Sequence, residues 1–172
     1  VFGKVLSSTT NSSTGEDLTG TLIRSIATAT STCKRIAVFS GSGKINITDN
    51  NSKTADNYIQ QALPSNAWGK KYLTVPTAKM PTNIFRVAVS DPAAVVKLNG
   101  TVLPATTLKN NFYYEFQSYG ANAIEADLPI MVAQYITTSG SYGNANGGNG
   151  DPEMIYLSPI EQTRSEEHTS EL

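Results

Sequence analysis

The chain has 172 residues, with 13 lysines and arginines, 14 aspartates and glutamates, one histidine and a net charge of −1. This near-neutral balance leaves no electrostatic footprint for nucleic acid, and no apolar run approaches the ~20 residues of a membrane-spanning helix. Charged residues make up 16% of the chain, below the usual ~25%. Thr, Ser, Asn and Gly take their place, a composition shared by many extracellular β-domains.

The two ends of the sequence are unusual. Residues 164–172 read RSEEHTSEL and resemble the translation of a sequencing adapter. We therefore expect residues 1–163 to form one domain and residues 164–172 to be a disordered artefact. The chain begins with Val1 rather than Met, so we expect it to be a fragment of a longer protein.

The first half of the chain contains mostly short strand signals. Residues 34–40 form an apolar run that predicts a buried strand, and Gly41-Ser42-Gly43 predicts a turn after it. Only residues 55–63 are compatible with a short helix, although their pattern is ambiguous. Residues 72–75 predict a strand that ends at Pro76.

The clearest strand signals lie in the middle of the chain. In residues 83–90, Phe85, Val87 and Val89 alternate with other side chains, which predicts a strand with one apolar face. Asn99-Gly100 interrupts residues 95–103 and predicts a two-residue hairpin, because both residue types tolerate the positive φ of a type I′ turn. Leu98 should then lie opposite Thr101.

Further strands are predicted at residues 111–118, 124–126, 130–137 and 154–157. Many short strands separated by turns favour an all-β fold, an antiparallel β-sandwich. A faint similarity between residues 26–41 and 124–140 suggests two related half-domains.

Catalytic chemistry finds little support. His168 is the only histidine and lies in the expected artefact, so neither Cys33 nor a serine has a histidine base. We expect Cys33 to be a semi-buried free thiol, since it has no partner cysteine in this chain. The alternative is a disulfide to a cysteine outside the given sequence. Glu125 and Asp127 resemble a glycosidase pair only superficially, because a Leu-Pro turn signal follows them.

A Gly/Asn/Ser-rich loop at residues 139–150 is the best candidate for a contact loop. Its candidate contact residues are Tyr142, Asn144, Asn146 and Asn149. Asp151 and Glu153 follow the loop with chemistry suited to Ca²⁺, but the pattern favours a turn that enters a strand. We predict no catalytic residue, metal or cofactor.

An ordered series of stretches resembles the IgG Fc-binding protein N-terminal domain family. The stretches are residues 17–21 (DLTGT), 35–41 (RIAVFSG), 68–72 (WGKKY), 84–87 (IFRV), 96–100 (VKLNG), 129–132 (PIMV) and 150–157 (GDPEMIYL). The positions that carry the resemblance are Asp17, Gly20, Trp68, Gly69, Pro76, Arg86, Asn99, Gly100 and Asp151.

The resemblance implies a non-catalytic adhesion or ligand-binding module of a secreted or surface-anchored bacterial protein. It implies an extracellular location, neighbouring domains in the same chain, and a surface glycoprotein as partner, mucin or immunoglobulin-like. The alternatives are a structural spacer between other domains and a fragment of a carbohydrate-active enzyme. The sequence does not identify the ligand.

Overall fold

A computed structural model describes residues 17–48, 55–80, 82–142 and 150–163. These residues contain strands and short 3₁₀ turns but no α-helix, which confirms the all-β prediction. The strands are β1 (Phe39–Ile45), β2 (Asp56–Gln61), β3 (Gly69–Thr74), β4 (Asn83–Val89), β5 (Val96–Leu98), β6 (Thr101–Val102), β7 (Tyr113–Ser118), β8 (Asn122–Ile136) and β9 (Glu153–Tyr156).

The described strands form two antiparallel sheets. The larger sheet is built around β8, which pairs with β3, β4, β5 and β9, while β7 extends the β4 edge and β6 extends the β5 edge. The smaller sheet consists of β1 and β2. The larger sheet curls on itself and the smaller one packs against it, so the architecture is the predicted antiparallel β-sandwich.

Strand β8 is longer than the sequence predicted, because Asp127-Leu128-Pro129 does not end it. Proline lacks an N–H and is tolerated in strands only at edges and irregularities. Pro129 lies between the part of β8 that pairs with β5, which reaches Ala126, and the part that pairs with β4, which begins at Ile130. The Pro129 carbonyl accepts a hydrogen bond from Ser90 N. The two strands predicted at 124–126 and 130–137 are therefore one.

The main core lies on the inner face of the larger sheet. The alternation predicted in β4 is confirmed, since Phe85, Val87 and Val89 are buried there. Phe85 stacks on its cross-strand neighbour Phe116 with ring centroids 5.3 Å apart. Both halves of β8 contribute to the same core through the fully buried Ile124, Ile130 and Val132.

The opposite face of β4 and β8 is also covered. Tyr135 of β8 and Met154 of β9 form a second apolar cluster, against which Tyr58 of β2 packs. The Tyr58 and Tyr135 rings meet edge to face at 6.2 Å. The smaller sheet is thus fixed to the larger one through aromatic contacts.

The predicted hairpin is confirmed in detail. Asn99 and Gly100 have φ values of 51° and 83°, as a type I′ turn requires. Leu98 lies opposite Thr101, and Leu103 N donates to Val96 O.

The predictions for the region before β3 are wrong. Residues 34–38 are not in a strand and Ile36 is 54% exposed, because no described sheet neighbour covers them. Gly41-Ser42-Gly43 lies inside β1 rather than in a turn. A side chain at Gly41 would collide with the backbone of β2, so the glycine permits close strand pairing. Residues 56–61 form β2 instead of a helix.

The suggested half-domain relation stays a prediction. Its two sequence segments lie in different environments, since Ile36 is largely exposed while Ile130 is fully buried in β8. The sequence similarity therefore does not extend to burial.

Candidate functional site

Arg86 is the centre of a charged and aromatic cluster on the outer face of β4. Its guanidinium binds Glu115 of β7 (Nε to Oε2, 2.7 Å) and Asp17 (Nη1 to Oδ2, 2.9 Å). It also lies over the Tyr113 ring at 4.6 Å and the Tyr135 ring at 5.6 Å. Arg86 and Glu115 are directly opposite in the ladder, so strand register alone brings them together.

Asp17 holds the chain that precedes β1 against this face. Its carboxylate accepts hydrogen bonds from Thr19 N at 3.0 Å and from Tyr113 Oη at 3.1 Å. Gly20 follows with φ 102°, and a Cβ there would lie 3.1 Å from the Phe112 side chain. Two of the family-like positions, Asp17 and Arg86, are thus joined in one ion pair. Beside it, Arg86 Nη1 donates to Thr19 Oγ1 at 2.9 Å, and these two residues are 67 positions apart in the chain.

The carboxyl groups of this cluster favour their charged form. Burial raises the pKa of Asp17, but hydrogen bonds from Thr19 and the charge of Arg86 outweigh it and hold that pKa below its ordinary value. Burial likewise raises the pKa of Glu115, and hydrogen bonds from Lys109 and Arg86 reverse the effect. Both carboxyl groups are therefore ionised at neutral pH.

Acidification is expected to destabilise the fold through these two carboxyl groups. A carboxyl whose folded pKa is depressed contributes stability above its unfolded pKa, and this contribution is lost as the pH falls through the folded pKa. Because the ordinary values are 3.8 for Asp17 and 4.5 for Glu115, the melting temperature should drop below about pH 4.5. Circular dichroism melts between about pH 6 and pH 3 measure this, and Asp17→Asn should reduce the drop.

Asp151→Asn is the matched control for that experiment, since Asp151 is exposed and forms no ion pair with another described residue. If the melting temperature of the Asp17→Asn variant depended on pH as that of the unchanged chain does, Asp17 would not be a source of the acid sensitivity.

A second group of polar side chains lies at one end of the sandwich, which we call the loop end. Asn122 at the start of β8 is buried and donates to Thr74 Oγ1 at 3.0 Å and to Gly120 O at 3.0 Å. Its carbonyl oxygen accepts from Asn99 Nδ2 at 3.1 Å. These bonds fix the β5–β6 turn, the β7–β8 turn and the end of β3 relative to one another.

Gln134 and Asn83 continue the polar network below the segment that follows β3. Both side chains are buried, and Gln134 Nε2 donates to Asn83 Oδ1 at 2.9 Å and to Val75 O at 3.0 Å. Thr77 Oγ1 donates to Asn83 Oδ1 at 2.7 Å, and Asn83 Nδ2 donates to Met80 O at 3.2 Å. Satisfied buried networks of this kind specify one conformation, so residues 75–80 rest on a rigid base.

Exposed apolar side chains lie on the segments that this network fixes. Leu73, Val75 and Tyr119 are 66%, 69% and 67% exposed, on the end of β3 and in the β7–β8 turn. We call these three residues the loop-end patch. Single exposed apolar residues are ordinary, whereas several on a rigid scaffold are typical of contact surfaces.

The predicted contact loop is only partly described. Tyr142 is half-buried with φ 53°, and its carbonyl accepts a hydrogen bond from Thr82 Oγ1 at 2.9 Å. Asn144, Asn146 and Asn149 lie outside the described residues. The start of the loop is therefore anchored next to the network at the loop end.

A shallow groove lies where the chain resumes after this loop. It is lined by Thr77, Ala78, Met80, Ile136, Gly150, Asp151 and Glu153, and we call it the carboxylate groove. Within the described ranges, no three His, Cys, Asp or Glu side chains come close enough to hold a metal ion.

The remaining family-like positions have local packing roles. Trp68 is half-buried at the corner before β3, where its Nε1 donates to Leu63 O at 3.2 Å and its ring meets Phe112 edge to face. A side chain at Gly69 would collide with Pro159 and Glu161 of the C-terminal segment. Pro76 leads from β3 into residues 77–80 of the loop end.

Neither Cys33 nor the acidic pair forms a reactive arrangement. Cys33 is exposed rather than semi-buried, which corrects the sequence prediction, because the surrounding residues 22–36 do not pack into either core. Glu125 pairs with Lys71 at 3.7 Å, and Asp127 accepts a hydrogen bond from Val95 N at 2.8 Å.

Sequence reasoning missed the buried amides of the loop end. Asn83 and Asn122 begin their strands and Gln134 lies within the strand predicted at residues 130–137, and amide side chains at such positions are ordinarily expected to face solvent. The only available signal was that Gln134 shares its face with Ile130 and Val132, which alternation places in the core.

The fold and these contacts define a small antiparallel β-sandwich module with a rigid, partly apolar loop end. The chain belongs to the IgGFc binding protein family, whose sequence model matches residues 3–171. This confirms the resemblance found in the sequence. No curated protein and no solved structure matches the chain. The described residues include no helix long and apolar enough to cross a membrane.

Proposed function

We propose that the chain is a non-catalytic ligand-binding module of a secreted or surface-anchored bacterial protein and that it contacts its ligand through the loop-end patch. The observation that carries the proposal is the combination of Leu73, Val75 and Tyr119 in the open with a hydrogen-bonded network beneath them. A preorganised surface loses little conformational entropy on binding, which favours affinity.

Membership of the family supports a glycoprotein partner, mucin or immunoglobulin-like, and an extracellular location. Tyrosine is enriched in binding hot spots because it offers a large, rigid, amphipathic surface. Tyr119 has this character and stands 67% exposed in a short turn.

The alternative of a structural spacer receives less support from the surface. A spacer needs only polar exposed faces, whereas the loop-end patch exposes three large apolar side chains. The alternative of a carbohydrate-active enzyme rests on Glu125 and Asp127, of which Glu125 pairs with Lys71 at the surface and Asp127 accepts a hydrogen bond from Val95 N.

Biolayer interferometry of the chain against immobilised mucin and against IgG Fc tests the proposal. We expect saturable binding to one of them, weakened at least about tenfold by Tyr119→Ser, because a central hot-spot residue contributes more than ~1.4 kcal/mol. Ile59→Ser is the matched control, since Ile59 is 66% exposed on β2 of the smaller sheet, which contributes no residue to the loop-end patch.

The dissociation constant of the control variant should stay within about twofold of that of the unchanged chain. A folded chain that binds neither protein at tens of micromolar would favour the spacer alternative. Binding that Tyr119→Ser leaves intact would place the contact surface elsewhere on the module.

A further inference from the structure

Residues 22–36 project from the domain as a short arm between the Asp17 anchor and β1. The arm is held by its own hydrogen bonds: Thr28 N donates to Ser31 O at 2.8 Å, and Lys34 N donates to Ser25 Oγ at 2.9 Å. Within the part of the chain that the structure describes, the arm forms no hydrogen bond to either sheet. The arm is thus an accessory element rather than part of the core.

Large aliphatic side chains on the arm face solvent. Leu22 and Ile26 are 78% and 75% exposed, and Ile23 and Ile36 are 55% and 54% exposed. None of the four belongs to either core cluster. Four such residues within fifteen positions leave more apolar surface in water than a self-contained element needs, which indicates a docking surface.

The arm is also strongly basic relative to the rest of the chain. The arm contains Arg24, Lys34 and Arg35 but no aspartate or glutamate, while the whole chain carries a net charge of −1. The other residues therefore carry a net charge of −4, of which −2 lies in residues 164–172. Arg24, Lys34 and Arg35 form no ion pair with a described residue.

The carboxylate groove has the complementary chemistry. Asp151 and Glu153 on its rim are exposed and form no ion pair with other described residues. Ala78 and Ile136 add a small apolar surface, whereas Met80 is 4% exposed and adds almost none. The groove can thus neutralise cations and contact part of an aliphatic side chain beside them.

We infer that the arm of one chain docks in the carboxylate groove of a second copy of the same chain. The occupant is a second copy because the positive arm and the negative groove are both on this chain, and no hydrogen bond or ion pair between described residues joins them. Complementary charge steers such an encounter, and burial of Leu22, Ile23 or Ile26 stabilises it. Reciprocal docking closes a dimer, and one-way docking extends a chain of copies. The inference does not depend on ligand binding at the loop-end patch.

Sedimentation equilibrium of the full chain over a range of concentrations tests the inference. We expect association that weakens as salt is raised, since salt screens exposed charges. The arm variant Arg24→Glu with Lys34→Glu and the groove variant Asp151→Lys with Glu153→Lys should each raise the dissociation constant at least about tenfold. The control variant Lys70→Glu with Lys97→Glu makes the same charge change as the arm variant at other surface positions. Its dissociation constant should stay within about twofold of that of the unchanged chain.

Mixing the arm variant with the groove variant gives the decisive measurement. The reversed arm of one matches the reversed groove of the other, so the mixture should associate more tightly than either variant does alone. Circular dichroism melts of each variant verify that it is folded. A chain that stays monomeric to about 200 µM would overturn the inference, and so would association that survives groove reversal.

Discussion

Replacing Arg86 with alanine is expected to lower the free energy of unfolding by about 3 kcal/mol. Removing one partner of a buried ion pair costs roughly 3–5 kcal/mol because the other charge stays buried without compensation. The side chains of Arg86, Glu115 and Asp17 are 24%, 26% and 42% exposed, so these ion pairs are only partly buried and the expected loss lies at the lower limit of that range. The loss includes its contact with the Tyr113 ring at 4.6 Å, a cation–π interaction of about 0.5–1 kcal/mol.

Urea denaturation followed by circular dichroism measures this change. Lys71→Ala is the control, because the Lys71–Glu125 pair has side chains 60% and 50% exposed and such pairs contribute less than about 1 kcal/mol. Arg86→Lys should recover only part of the loss, since an ammonium group cannot bind Asp17 and Glu115 with the planar geometry of guanidinium. Equal losses in the Arg86→Ala and Lys71→Ala variants would contradict a structural role for the cluster.

Replacing Phe85 with alanine should lower the free energy of unfolding at least as much, by about 3–5 kcal/mol. The side chain is 0% exposed and stacks on Phe116, so its removal leaves a cavity at the centre of the larger core. Phe85→Leu fills part of that cavity and should cost clearly less. Thermal and urea unfolding of both variants measure the difference.

Leu73→Ala is the comparison for the Phe85 variants. This substitution also removes a large apolar side chain from a strand, but Leu73 is 66% exposed. Surface substitutions of this kind change the free energy of unfolding by no more than about 0.5 kcal/mol. If the two substitutions had similar effects, the core assigned to the inner face of β4 would be wrong.

Elements governed by local chemistry could be predicted from the sequence. The Asn99-Gly100 hairpin follows from the positive φ that these residues tolerate, and β4 follows from strict alternation across residues 85–89. In both cases the signal lies within a few residues. The family resemblance, now confirmed across residues 3–171, likewise needed only the order of short stretches.

Elements whose burial depends on distant partners could not be predicted. The apolar run at residues 34–40 has the composition of a buried strand, yet Ile36 lies outside the described strands and is 54% exposed. Phe39 begins β1 but is 62% exposed, and neither residue belongs to a core cluster. The helix prediction for residues 55–63 failed because Tyr58 meets Tyr135, 77 positions later, and pairing with β1 holds the segment extended.

The sequence by itself determined the fold class, the hairpin, the inner face of β4, and the family. Only the tertiary structure decided the candidate site. Arg86 joins Asp17 to Glu115, and Asn122 joins Asn99 to Thr74, through contacts between residues far apart in the chain. Local patterns fix φ, ψ and the alternation of faces, whereas the partner of each buried charge or amide depends on strand order and sheet curvature. Those depend on contacts along the whole chain, which no short stretch of sequence specifies.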